Sequence, residues 1–328
     1  MKTRMPFENG IVDVVGVGVN ATDTVIRLPH FPTFNSKMEV LSVHQEAGGQ
    51  VASALVACSR WGLRSRYVGT VGDDDAGSLQ REELERSGVE SHLVVVSGVR
   101  SQFAYILIDD PTGERTILWG RDSALALRPE HLERGWIERS RLLHVDGHDP
   151  AADVQAARWA RDAGIPVTAD FDNVYPGIES LLEQSDYVLT TADFPARLLG
   201  ESNPLRALPY FVRRYGCRVA GATLGDRGAV AWDGTRFFQC PGFIVKAVDT
   251  TGAGDIFHAG YIYALLSGWE TERCLEFGCA AAALNCTRPG ARGGIYPVED
   301  ILRLTETGPR RDALFSEEAL HAAAAQKA

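Results

Sequence analysis

The chain has 328 residues, the length of one large domain or two small ones, and 45% hydrophobic residues, enough for a sizeable core. Its 33 basic against 43 acidic residues leave a formal charge of −10, which excludes nucleic acid and anionic membranes as main partners, since both are gripped by basic patches. No apolar run has the length of a membrane span, the first ten residues lack a signal-peptide core, and the six cysteines form no C-x-x-C and read as reduced and buried, so a soluble cytoplasmic protein is expected.

In chain order, residues 1–10 read as a ragged tail. The β-branched run 11–19 predicts a buried strand. Residues 20–45 are β-rich, with no helical period, and are broken by Pro29 and Pro32. A helix follows Gly48-Gly49, with Val51, Ala54, Leu55, Cys58 and Trp61 at helical spacing and Gly62 as its stop. Residues 66–71 predict a strand and 77–87 a helix closed by Gly88. Strands follow at 93–97, 102–109 and 115–119, the last two forming a hairpin around Asp110-Pro-Thr-Gly113. From 128 onward, strands at 142–145, 166–170, 187–190, 218–223 and 229–232 alternate with helices such as 151–163, the pattern of a parallel sheet covered on both faces. The β-material at about 20–45 and 98–120 does not fit that sheet. It predicts a small separate one, a candidate lid. Residues 320–328 predict a fraying terminal helix.

Gly16-Val-Gly18-Val-Asn-Ala21 matches G-x-G-x-x-A, the turn that cradles a dinucleotide. That turn must open a helix, and Thr22, Thr24, Val25, Ile26, Pro29 and Pro32 argue against one, so the dehydrogenase reading is set aside. Asp23, just past a strand end, can accept two hydroxyl hydrogen bonds; capping a turn is the other use of the same carboxylate.

Val248-Asp249-Thr250-Thr251-Gly252-Ala253-Gly254-Asp255 precedes an apolar helical run over 256–266. Gly252, Ala253 and Gly254 at a helix start leave backbone N–H groups free and unobstructed for an anion. Asp255 beside that nest cannot itself bind a phosphate. Two negative groups side by side suggest a base that takes a proton from a hydroxyl attacking the phosphate. The bland alternative is an N-cap aspartate after a Gly-rich turn.

With this string the chain resembles the ribokinase-like (PfkB) carbohydrate kinase family, whose C-terminal signature it matches over 249–255. Ala47-Gly-Gly49, Trp61-Gly62-Leu63 and Val68-Gly-Thr-Val-Gly-Asp-Asp74 look like the N-terminal signature. Gly113-Glu-Arg-Thr116 looks like the lid strand pair, and Thr223-Leu-Gly225-Asp-Arg-Gly228 like the nucleotide-side turn. The resemblance implies a ribokinase-like α/β domain over 1–328: a central, mostly parallel sheet flanked by helices, with a small β-sheet lid. It implies ATP and Mg²⁺, and a monovalent cation such as K⁺. Asp255 matches the catalytic base and the amides of 252–254 the anion hole. Asp23, Gly48 and Gly49 match sugar-binding positions, and Thr223, Gly225 and Gly228 positions around the ATP phosphates and ribose. Asp249 and Thr251 match the start of a cation loop completed near 288–294. Cys279 and Asn285 fall on the helix beside the adenine.

Two departures stand out. The family's asparagine after the di-glycine is Ser53 here, and its N-x-x-E is Thr190-Thr-Ala-Asp193, whose shorter carboxylate could act on Mg²⁺ through water. Both resemble ketohexose or sulfosugar kinases more than ribokinase proper, and Gln50 falls where ketohexokinase-like proteins carry a sugar-contacting asparagine. Arg121 is a candidate for meeting an anionic substrate or else a solvated loop arginine. His144, Asp146 and His148 suit either a metal or a strand-end turn. The function expected is phosphorylation of a primary hydroxyl on a small sugar; a nucleoside kinase and a non-catalytic sugar sensor are the alternatives. Phe103, Tyr105, Ile117 and Trp119 on the lid strands predict a homodimer through the lids.

Overall fold

The structure, a computed structural model, describes residues 10–325. Residues 1–9 of the expected tail and 326–328 of the terminal helix lie outside the described residues. The first strand, β1 (Val14–Val17), sends Val15 and Val17 into one core and Val14 into another, which is why its sequence is apolar without alternation. After Gly18 the chain enters β2 (Ala21–Leu28), a strand of a second sheet, so no helix opens there and the dinucleotide reading falls. β3 (Ser42–Gly48) pairs antiparallel with β2 from Arg27↔Ser42 to Ala21↔Gly48, running three residues past the β-rich segment 20–45. α1 (Gln50–Arg60) starts at Gly49 and ends before Gly62, both at positive φ.

β4 (Ser65–Gly72), α2 (Asp75–Arg86) and β5 (Glu90–Val96) follow, then the predicted hairpin of β6 (Phe103–Asp109) and β7 (Arg115–Gly120). Next come α3 (Arg134–Glu138), β8 (Leu143–Val145), α4 (Pro150–Asp162), β9 (Val167–Phe171), α5 (Ile178–Leu182) and β10 (Tyr187–Thr191). α6 (Phe194–Leu199) and α7 (Pro204–Tyr215) lead to β11 (Val219–Thr223), β12 (Gly228–Trp232) and β13 (Phe237–Pro241). α8 (Ala253–Leu266), α9 (Thr271–Asn285), α10 (Val298–Thr307) and α11 (Glu317–Ala325) complete the order.

Nine strands make one sheet in the order β13-β12-β11-β10-β9-β8-β1-β4-β5. Every pair from β11 to β5 is parallel, and only β12 runs against the rest. Helices α4 and α7 bury one face, α1, α8 and α9 the other. The parallel strands therefore end along one rim, where a site can be built from residues just past each strand. The second sheet, β3-β2-β6-β7, stands over that rim. All six cysteines are free thiols, five of them buried. Among the described residues no helix is long and apolar enough to cross a membrane.

Candidate active site

A cavity of about 260 Å³ lies between the small sheet and the rim. Lid strands contribute Asp23, Ala104, Ile106, Ile117 and Trp119; the ends of β9 and β10 contribute Asp170, Asp172 and Thr191; the start of α8 contributes Gly252, Gly254 and Asp255.

The start of α8 is set by glycine. Gly252 caps the helix at φ +71, and a β-carbon there would stand 2.3 Å from the Ala291 carbonyl oxygen. A side chain would thus push the loop apart. Gly254, in the first turn, has open space where a side chain would be. The first turn of any helix leaves N–H groups without intrahelical acceptors; here the Ala253 N–H makes a long turn bond to the Thr250 carbonyl at 3.3 Å. Asp255 faces the same cavity. Burial raises its carboxyl to about 8, helped by the nearby charges of Asp170 and Asp23 and opposed by Arg292 and Arg115. Asp23 is 6% exposed, and burial with the neighbouring Glu46 raises it to about 7, against Arg292. Gly48, cross-strand from β2, makes room for it: a β-carbon there would stand 2.0 Å from the Asp23 carboxylate.

Two loops are stitched beneath this nest. Asp249, fully buried, accepts the N–H of Thr251 and of Gly290, each at 2.8 Å. Asn285 donates to the carbonyls of Thr251 and Ala291 at 3.2 Å and accepts the Gly294 N–H at 3.0 Å. Asn285, fully buried, thus holds the loops together, with both amide hydrogens spent on backbone carbonyls. The Thr251 hydroxyl is buried without a partner. From the lid, Glu46 accepts the Ala291 N–H at 2.8 Å.

The other predicted residues divide into those at the cavity and those behind it. Gly49 and Gln50 line it, and Gln50 hydrogen-bonds Asp170. Ser53 does not reach it: fully buried in α1, its hydroxyl accepts from Arg292 Nε at 3.1 Å. Arg121 is neither solvated nor at the cavity wall. It is 13% exposed, paired with Asp149 at 2.9 Å and bonded to the Leu125 carbonyl. On the nucleotide side, Thr223 ends β11, and Gly225 and Gly228 turn the chain at φ +60 and +95. The Thr190 hydroxyl points into the sheet, toward the Gly221 carbonyl, and so is not available to a phosphate. Asp193 is exposed and paired with Arg197 at 3.1 Å. Cys279 is buried on α9, its thiol hydrogen-bonded with Cys240. The metal option at 144–148 falls, because the three side chains diverge. His144 bonds Thr168 at 3.1 Å, Asp146 accepts the N–H of Val19 and of His148, and His148 lines the cavity beside Tyr175.

Several residues at the site were not singled out from sequence. Arg292 is 7% exposed and donates to the Gly48 carbonyl at 2.8 Å as well as to Ser53. Its distance of 239 residues from Ser53 left no spacing signal, although the missing asparagine at 53 called for a replacement donor. Asp170 is held by His258, one turn beyond Asp255, at 2.9 Å. Burial pushes Asp170 up, but His258, His144 and Gln50 together hold it below the usual carboxylate range.

Two buried carboxylates, Asp23 on the small sheet and Asp255 at a glycine-lined helix start, thus face one cavity. Residues 13–297 match the pfkB family carbohydrate kinases, and the chain belongs to that family. It is 32% identical over 290 residues to the ATP-dependent ribose-1-phosphate kinase of Halopiger xanaduensis, covering 86% of this chain and 94% of that one. A crystal structure from Agrobacterium tumefaciens, provisionally called a ribokinase, superposes with a TM-score of 0.84 at 29% identity, covering 90% of this chain and 97% of that one. The ribokinase of Thermotoga maritima gives 0.77 at 25% identity, covering 90% and 100%. The fold is ribokinase-like, and the chain is a phosphotransferase of the sugar and nucleoside kinase class.

Proposed function

We propose that this protein transfers the γ-phosphate of ATP to a primary hydroxyl of a small sugar or sugar derivative, a ketohexose-like acceptor being favoured. The observation that carries the reading is Asp255 on the first turn of α8, raised in pKa and sharing one cavity with Asp23. Asp23 and the Gly48-Gly49 backbone hold the acceptor. Asp255 takes the proton from the hydroxyl as it attacks, and the 252–254 amides meet the charge that grows on the transferring group. The lid excludes water, so that ATP is not hydrolysed. Mg²⁺, when bound, neutralises phosphate charge and orients the phosphate chain. The buried, unpartnered Thr251 hydroxyl supports K⁺ in the loop that Asp249 folds. We read the setting as the cytoplasm, where ATP is at hand and the six free thiols stay reduced.

Asp255→Asn should lower turnover by about 10²–10⁴-fold, the range for removing a general base, while ATP still binds. A coupled assay with Mg²⁺, with and without K⁺, reads the first and calorimetry the second. Near-normal turnover in the variant would sink the reading, and turnover of any acceptor by the parent rejects a sugar sensor. One observation favours a second acceptor class. Trp119, His148 and Tyr175 form a continuous ring-lined wall, with centroids 5.5 Å and 4.8 Å apart, that suits the base of a nucleoside. A thermal-shift panel of ketoses, aldoses, sugar acids and nucleosides separates the two.

A further inference from the structure

In the family pattern, the carboxylate tied to the divalent ion sits where this chain has Asp193. That side chain is 66% exposed, ion-paired to Arg197 at 3.1 Å, and absent from the cavity wall. At the ends of β9 and β10, two oxygens of cavity-lining residues lack partners. Asp172 follows β9 and Thr191 ends β10. Because Phe171 pairs with Thr190, the next residue of each strand places Asp172 and Thr191 side by side on the rim. Asp172 Oδ1 and Thr191 Oγ1 are each buried without a hydrogen bond. An orphaned carboxylate oxygen beside an orphaned hydroxyl is costly unless a ligand completes it.

The surroundings fit a hard cation. Arg197 bonds the backbone carbonyl of Asp172 and the Asn173 side chain at 3.0 Å, and not the Asp172 carboxylate. The same arginine thus occupies Asp193 and anchors the turn that presents Asp172. Mg²⁺ keeps several waters and takes one or two carboxylates besides the phosphate oxygens, so a single aspartate with a neighbouring hydroxyl is a sufficient protein share.

We propose that Asp172 together with the Thr191 hydroxyl, and not Asp193, provides the protein oxygens for the divalent ion that accompanies ATP. This assignment rests on the kinase reading. In it, the loss of the family's glutamate is a relocation of the metal-holding carboxylate from β10's far flank to the end of β9.

The test is metal binding rather than turnover. Mn²⁺ is titrated by electron paramagnetic resonance into protein holding a non-hydrolysable imido analogue of ATP, for the parent, Asp172→Asn, Asp193→Asn and Thr191→Val. Thermal melting checks that each variant is folded. Asp172→Asn should weaken Mn²⁺ retention about tenfold or more, the lower end for lost metal-site partners, with Asp193→Asn within about twofold of the parent. Asp172→Glu should restore part of the loss and Thr191→Val should show a smaller one. Binding that survives Asp172→Asn and fails with Asp193→Asn, or that neither change affects, overturns the assignment while leaving the kinase reading intact. A parent protein that binds no nucleotide with Mn²⁺ overturns both.

Discussion

Asp255 must be ionised to take a proton, yet burial holds it at about 8. The base is therefore scarce below that value and fills in above it, so kcat/KM of the free enzyme should climb as pH rises from about 6 to about 9. A carboxyl raised on folding gives stability that is present at acid pH and is lost as pH rises through the folded value. Asp255→Asn stays neutral throughout. It should match the parent's melting temperature only below about pH 4 and exceed it increasingly from there to about pH 8, where the difference levels off; equal melting at about pH 4 and pH 9 would contradict the raised value. Arg292 opposes that rise from within the core, without direct pairing to Asp255 or Asp23. Arg292→Gln should move the acid limb of the pH–rate profile upward by about half a pH unit, less than the roughly 1–3 units of a directly paired charge. Arg292→Lys should restore the limb. A purely structural arginine would lower activity without moving it.

At the level of elements, the glycines of the 252–254 turn do different work. Gly252 is demanded by the backbone, and an alanine there meets the Ala291 carbonyl at 2.3 Å in a left-handed conformation. Gly252→Ala should cost about 1–3 kcal/mol of stability on conformation alone, read by denaturant unfolding. Gly254→Ala meets nothing and sits in a helix, so it should fold as well as the parent or better by up to about 1 kcal/mol. It should nevertheless lose turnover, because its methyl stands where the anion approaches. Equal stability of the two variants would refute the distinction. Such local demands are what made the site legible. Glycines mark the ends of α1, α2 and α4, the 249–255 string carries its own chemistry, and the alternation from 128 onward predicts the parallel sheet. Pairing between distant segments was not legible. β3 is fixed by its register on β2, and β13 exists because β12 offers it an edge. Ser53 needs Arg292, 239 residues away. Each depends on a partner that spacing along the chain does not reveal.

Across the whole molecule, the lid sheet has two faces with different fates. Ala104, Ile106, Ile117 and Trp119 turn inward and line the cavity, so Ile117 and Trp119 are not the outer patch that sequence suggested. The outer face is read from the register. Val43, Ile26 and Leu107 lie in one row across β3, β2 and β6, and Tyr105 and Leu118 lie in the next across β6 and β7. Val43 and Leu118 are 56% and 54% exposed, while α2 packs at the Thr22 end of this sheet, where Ala76 and Gln80 bond the Thr22 side chain. Such an open apolar sheet face associates with another surface. A second copy is self-complementary by symmetry, and stacking two lids would leave both cavities free. Size exclusion with light scattering should therefore give twice the 35.7 kDa of the chain. Val43→Glu with Leu118→Glu places charges in the proposed seam and should yield a folded monomer, with its melting curve still cooperative. The inward-facing Ile117→Glu lies off that seam and should leave the mass unchanged while impairing acceptor binding. A parent that runs as a monomer at micromolar concentration would show that the lid face is covered by something else.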